Sequence, residues 1–144
     1  MAIDDIQILD GSCPHSIDCD FEADTCMWWN SNYMTMPPDD VDWVRKTGQM
    51  VSQTTMPGPT VDHTLGTDSG FFILMEPLGF DQNAILASSP LEANLTYCTS
   101  FYTYVTEGAG TITLKYHNLD NQQEGGEFGE FGGNLLGWEK VRYR

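Results

Sequence analysis

Apolar residues in this chain come in short runs closed by turn residues, and that spacing limits the fold more than any other feature. Gly70 to Glu76, Ala84 to Ser88, Tyr97 to Val105, Thr111 to His117 and Trp138 to Tyr143 are rich in aromatic and β-branched residues and bounded by Gly, Pro, Asn or Asp. No segment repeats apolar residues at helical spacing over three turns. The class is therefore all-β, an antiparallel sandwich or barrel. In Tyr97 to Val105, alternation puts Tyr97, Thr99, Phe101, Thr103 and Val105 on one face, and aromatics on both faces predict a strand covered from both sides. Residues 2 to 9 place Ile6 and Ile8 on one face and Asp5 and Gln7 on the other, a strand ending at Asp10-Gly11. Between Met27 and Pro59, the tryptophans and prolines suggest long loops around a few buried anchors. Residues 120 to 134, rich in Gly and Glu, read as a mobile loop. They are no phosphate cradle, because carboxylates repel phosphate and no Lys follows the glycines.

With 144 residues the chain has the length of one domain, and a hydrophobic fraction of 40% is enough for a core. Six Lys and Arg face 21 Asp and Glu, a formal charge of −15, so nucleic acid and anionic membrane surfaces are poor partners. No apolar stretch has the length of a membrane span, and Met1-Ala2-Ile3-Asp4-Asp5 lacks the basic start of a secretory signal. That start fits a mature or internal segment, or a cytosolic chain. The four cysteines, Cys13, Cys19, Cys26 and Cys98, contain no C-x-x-C pair, and His15, His63 and His117 are dispersed, so zinc-finger spacing is absent. Disulfides in an oxidising compartment are the better reading, with three connectivities open. The triplet Asn94-Leu95-Thr96 is a glycosylation acceptor and agrees with a secreted chain.

One ordered set of motifs is specific. Cys19-Asp20-Phe21-Glu22, Cys26-Met27-Trp28, Asp42-Trp43, Gly58-Pro59-Thr60-Val61-Asp62-His63-Thr64, Gly70-Phe71-Phe72, Leu86-Ala87-Ser88 and Tyr97-Cys98-Thr99-Ser100-Phe101-Tyr102 follow one another. The set resembles the MAM domain, the extracellular module of meprin, the A5 antigen neuropilin and receptor tyrosine phosphatase mu, over residues 19 to 144. The resemblance implies a jelly-roll β-sandwich of two antiparallel sheets. It also implies a local Cys19 to Cys26 bridge, and a pairing of Cys98 with a cysteine that follows the family's last strand.

The order departs from the family at both ends. Residues 1–13, Ala2-Ile3-Asp4-Asp5-Ile6 through Cys13, resemble the closing strand of a MAM domain yet precede the opening one. Residues 14–18 form a link, and residues 19–144 resemble a MAM domain lacking its last strands. Two arrangements follow, the first being favoured. Residues 1–13 complete a preceding repeat, so that strand donation between units permits head-to-tail assembly; or they fold back on this unit, with Cys13 bridged to Cys98.

The resemblance also implies a structural Ca2+ near the opening Phe-Glu and the Asp-Asp strand, with Glu22, Asp24, Asp4 and Asp5 as candidate ligands and Asp62 as a weaker addition. Trp28, Trp43 and Trp138 are expected in the core; for Trp29 alternation gives no preference. Catalysis has little support. Asp62 and His63 are neighbours whose side chains diverge in an extended chain, and Glu127 and Glu130 sit on a Gly-rich segment that cannot fix an acid/base separation. The expected function is thus a non-catalytic extracellular module for adhesion or assembly, whose partners are further copies or other extracellular proteins. The alternative is a carbohydrate-binding module, which requires an exposed coplanar aromatic pair.

Overall fold

The computed structural model describes residues 1–9, 17–31, 39–76, 79–92, 95–118, 123–132 and 137–143; Cys13 and Asn94 lie outside them. Its strands are β1 (Ala2–Leu9), β2 (Trp28–Asn30), β3 (Trp43–Thr47), β4 (Phe71–Met75), β5 (Leu86–Ser88), β6 (Cys98–Tyr104), β7 (Thr111–Asn118), β8 (Gln123–Gly132) and β9 (Glu139–Tyr143). A five-stranded antiparallel sheet runs β3-β4-β1-β6-β9, and β2-β5 and β7-β8 form two-stranded ribbons. The fold is an all-β sandwich, as the alternating pattern requires.

The N-terminal segment takes the central place. β1 lies between β4, with Ile3 opposite Ile73, and β6, with Asp4 opposite Tyr102 and Leu9 opposite Cys98. The register against β6 slips between Asp4 and Gln7, and Asp5 has a φ of 51°. Such a bulge inserts a residue and changes which side chains face inward downstream of it. Ile3 before it and Ile8 after it are both buried.

Each face of this sheet has its own apolar cluster. On the inner face, Ile3, Ile73, Met75, Phe101 and Val105 pack with Phe21, Trp43 and Ile112, and Phe131 meets Phe101 edge-on at 5.9 Å. On the outer face, Ala2, Phe72 and Leu74 are covered by Val51, with Tyr104 and Trp138 at the margin. Val51 belongs to the short helix α1 (Gly48–Ser52), where the Thr47 hydroxyl accepts the Met50 N–H at 3.2 Å. Two-sided cover of β6, legible from its aromatics, thus extends to β4 and β1.

Two sequence expectations need correction. Within residues 120–134 the mobile loop is instead β8, paired with β7 from Thr111–Gly132 to Asn118–Gln123. Its glycines make room for an aromatic neighbour: a Cβ on Gly125 would overlap the Tyr116 ring. Phe131 supplies the burial that composition alone conceals. Between Met27 and Pro59, the expected long loops contain β2, β3 and α1 among the described residues.

Candidate functional site

On the outer face of the large sheet, Asp4, Asp5 and His63 are joined by hydrogen bonds. Asp4 stands on β1 with no exposed surface. Its carboxylate accepts the His63 N–H at 2.8 Å and the Asp5 N–H at 2.9 Å. Burial pushes the Asp4 carboxyl up to about 7, the neighbouring Asp5 charge adds to that, and the His63 hydrogen bond works against it. Asp5, turned by its positive φ, meets His63 Nδ1 at 2.5 Å and accepts the Thr64 hydroxyl at 2.7 Å. The His63 ring stacks on Tyr102 of β6 at 3.3 Å between centroids and meets Trp138 edge-on at 6.4 Å. Trp138 donates to the Val61 carbonyl at 2.9 Å. The loop around Asp62–Thr64 is thereby fastened across β1 and β6.

A second acidic pair sits apart from this latch. Asp62 is buried and accepts the N–H groups of Leu65 at 2.5 Å and Thr67 at 2.8 Å. A Cβ on Gly70 would overlap its carboxylate, so only glycine fits there. Glu22 accepts the Phe71 N–H at 3.0 Å, and its carboxyl is held above the ordinary range by burial, with the charges of Asp62 and Asp20 adding to the effect. Asp24 caps the Cys26 N–H at 2.6 Å.

The five candidate cation ligands therefore occupy three places: Asp4 with Asp5, Glu22 with Asp62, and Asp24 at the turn before Cys26. Among the described residues no group of three or more His, Cys, Asp or Glu gathers at metal-holding separations. Glu22 and Asp62 are coupled, the Asp62 charge adding to the burial that raises the Glu22 carboxyl, while the Asp62 carboxylate already accepts two backbone N–H groups.

Cys19 and Cys26 are bridged, with their Cα atoms 5.9 Å apart. Cys19 is buried and its N–H bonds the Ile6 carbonyl at 2.9 Å, so the bridge anchors the opening loop to β1. Cys98 is exposed and free. It borders a hollow of about 400 Å³ on the outer face, lined also by Gln7, Ser100, Lys140 and Arg142.

Three tryptophans are fixed through Nε1: Trp28 donates to the Ile17 carbonyl at 2.7 Å, Trp43 to Ala84 at 3.2 Å and Trp138 to Val61 at 2.9 Å. Trp43 is core, while Trp28 and Trp138 are half-buried at its margins. Trp29, for which alternation gave no preference, faces solvent at 40% exposure beside Met27 at 45%.

These elements match a known module. A family model for the MAM domain, meprin/A5/mu, matches residues 19–136. The chain belongs to the MAM family. The human MAM domain-containing protein 2 is 30% identical to it over 125 residues, covering 81% of this chain and 17% of that protein's length. The chain thus spans under a fifth of the curated relative it matches. No solved structure matches significantly.

The MAM domain is an extracellular, adhesion-type module that takes part in protein–protein interaction, and the family is generally non-catalytic. The Cys19–Cys26 bridge fits an extracellular setting, and among the described residues no helix is long and apolar enough to cross a membrane. The family match stops short of β1 and β9, yet these are the two strands that flank β6 in the sheet.

Sequence reasoning missed several features of the site. The burial of Asp4 and its bond to the His63 backbone involve residues 59 positions apart, and no local pattern reports that. The Asp62 turn had a local signal, an Asp with backbone donors three and five residues later.

Proposed function

We propose that this MAM domain is a non-catalytic extracellular module that holds proteins together, acting in adhesion or in assembly of a secreted or surface repeat protein. The observation that carries the reading is the contrast among the tryptophans. Three are fixed by hydrogen bonds to the backbone, whereas Trp29 stands exposed beside Met27 on the β2-β5 ribbon. Exposed Trp and Met are residue types enriched where proteins meet.

The expected head-to-tail assembly by strand donation would have to displace β1 from its place between β4 and β6 of its own chain, so we propose association through side-chain surfaces instead. A structural Ca2+ bound through Glu22 belongs to the same proposal, its role being to neutralise a carboxylate whose charge burial and the neighbouring acids Asp62 and Asp20 disfavour. Calcium is expected to raise the melting temperature and EDTA to lower it, with Glu22→Gln abolishing the difference; a melting temperature indifferent to both reagents overturns the ion.

The carbohydrate-binding alternative finds its support in the exposed pair Tyr116 and Phe128, whose rings are 5.0 Å apart. Their planes are inclined by 40°, a poor platform for a flat sugar face. Beads coated with the oxidised domain discriminate the two readings. Adhesion to cells or matrix is expected to be lost when the target surface is treated with protease and kept when it is deglycosylated. The reverse pattern overturns protein association in favour of the sugar.

A further inference from the structure

Charge is distributed unevenly over this acidic chain, and the unevenness follows the strand order. Three of the six basic residues, Lys140, Arg142 and Arg144, lie among the last five positions, which contain no acid. Two of the described bases elsewhere are engaged within the chain: Arg45 donates to the carbonyls of Phe21 and Glu22, and Lys46 pairs with Glu76. Lys115 is exposed but has the acid Glu127 opposite it in the β7-β8 register. Lys140 and Arg142 form no ion pair among the described residues. Both are exposed on the outer face of β9, next to Tyr102 and Ser100 respectively, and line the hollow beside Gln7 and Cys98. Glu139 alternates onto the opposite face.

The other end of the sheet has the opposite character. β9 is the last described strand on one side and β3 the last on the other, a separation of about 19 Å at ordinary strand spacing. Asn30 binds the Trp43 backbone through both side-chain atoms, at 3.0 and 2.7 Å, and so fixes the β2-β5 ribbon beside β3. Trp29 and Met27 are exposed on that ribbon. Acids surround them in the chain path: Asp24 caps the turn into β2, and Asp39 and Asp40 bind the backbone of Ile85 and Asn83, just before β5. Asp24, Asp40 and Asp42 are all exposed.

We propose that two copies of this chain join head to tail, the Lys140–Arg142 face of one docking on the exposed Trp29–Met27 surface of the next. This rests on the association reading and names its partner. The occupant is a second copy because each copy presents both halves of a complementary pair: at one end exposed Lys140 and Arg142, without an ion pair among the described residues and with Lys140 over the Tyr102 ring at 5.0 Å, and at the other an exposed indole with exposed Asp24, Asp40 and Asp42 near it in the chain. Arg or Lys over an indole face gains a cation–π contact that strengthens as water leaves. The overall repulsion between two acidic molecules is largely screened beyond about 8 Å at physiological salt, so the local match governs docking. The two surfaces differ and lie at opposite ends of the sheet. The contact is therefore heterologous and generates chains rather than closing at a dimer.

Sedimentation of the oxidised protein tests this, with gels run without reductant to identify species linked through Cys98. The wild-type mass is expected to climb past dimer as concentration rises. Lys140→Glu/Arg142→Glu and, separately, Trp29→Ala are expected to weaken self-association by more than about tenfold. All these residues are exposed, and melting curves verify the fold; Lys140→Gln/Arg142→Gln serves as a milder second variant. The decisive step is an equimolar mixture of the two variants, which retains one competent surface of each kind and is expected to form dimers and stop there. A wild type that stays monomeric overturns the head-to-tail contact while leaving the bead adhesion result to judge the broader reading. Self-association equal to wild type in either variant, or no dimer in the mixture, overturns it as well.

Discussion

The Asp4 carboxylate on the central strand accepts the backbone N–H of His63, 59 residues away, at 2.8 Å. That bond ties the Asp62–Thr64 loop to the middle of the sheet, and it places an acid where water cannot reach. The consequence is a stability that depends on pH near neutrality. Burial raises the Asp4 carboxyl from 3.8 to about 7 in the folded state. Between those values the folded chain holds a proton that the unfolded chain releases, so stability falls as pH rises toward 7 and levels off above it. Acidification from pH 7 to 5 is expected to stabilise the domain by about 1 kcal/mol per unit through this group. Asp5, His63, Tyr102 and Lys140 also face this region, so the measurement is the difference in pH slope between wild type and Asp4→Asn. The variant is expected to lose that component; equal slopes contradict it.

The Cys19–Cys26 bridge closes a short loop whose first cysteine is buried against β1. Replacing both cysteines by serine is expected to cost about 2 kcal/mol, chiefly by enlarging the unfolded ensemble. Chemical denaturation of the variant, and of the native protein with and without reductant, measures this. A cost near zero would show that the opening loop is held by other contacts.

Phe72 and Phe80 have the same side chain in opposite surroundings, one wholly buried in the outer cluster and one wholly exposed at a turn. Phe72→Ala is expected to destabilise by about 4 kcal/mol and Phe80→Ala by no more than about 0.5 kcal/mol. Comparable losses for the two would contradict the outer cluster under α1.

Tyr116 and Gly125 are matched across β7 and β8. A Cβ on Gly125 overlaps both the Tyr116 ring and its carbonyl oxygen, so Gly125→Ala is expected to destabilise by about 1 to 3 kcal/mol, and Tyr116→Ala in the same molecule to recover only the share due to the ring. Additive effects of the two changes would argue against β8 lying beside Tyr116.

How far the fold could be read in advance depended on the range of the signal. Short apolar runs closed by turn residues located β4, β5, β6, β7 and β9, and alternation located β1 and the two-sided cover of β6. β8 escaped, since a strand of glycines and glutamates takes its order from Tyr116, Phe101 and the β7 backbone, all outside its own sequence. The bulge after Asp4 was equally silent; it is fixed by pairing with β6. At the site, motif order led to the Cys19–Cys26 bridge, but the Asp4 to His63 latch and the grouping of Glu22 with Asp62 depend on contacts across the sheet. Trp29 could not be assigned from alternation because its neighbour Trp28 is equally apolar; packing against the inner cluster and the bond from Trp28 Nε1 to Ile17 separate them.

The placement of β1 between β4 and β6 of its own chain is the claim on which the latch, the core and the two surfaces all depend. An equal mixture of isotope-labelled and unlabelled copies, refolded together, tests it through contacts between Ile3 and Thr103 and between Ile8 and Thr99. These contacts are expected within single labelled chains, with β1 amides exchanging as slowly as those of β4 and β6. Contacts appearing between labelled and unlabelled chains would show instead that neighbours exchange the strand, and β1 amides exchanging freely would show that it is not part of the sheet.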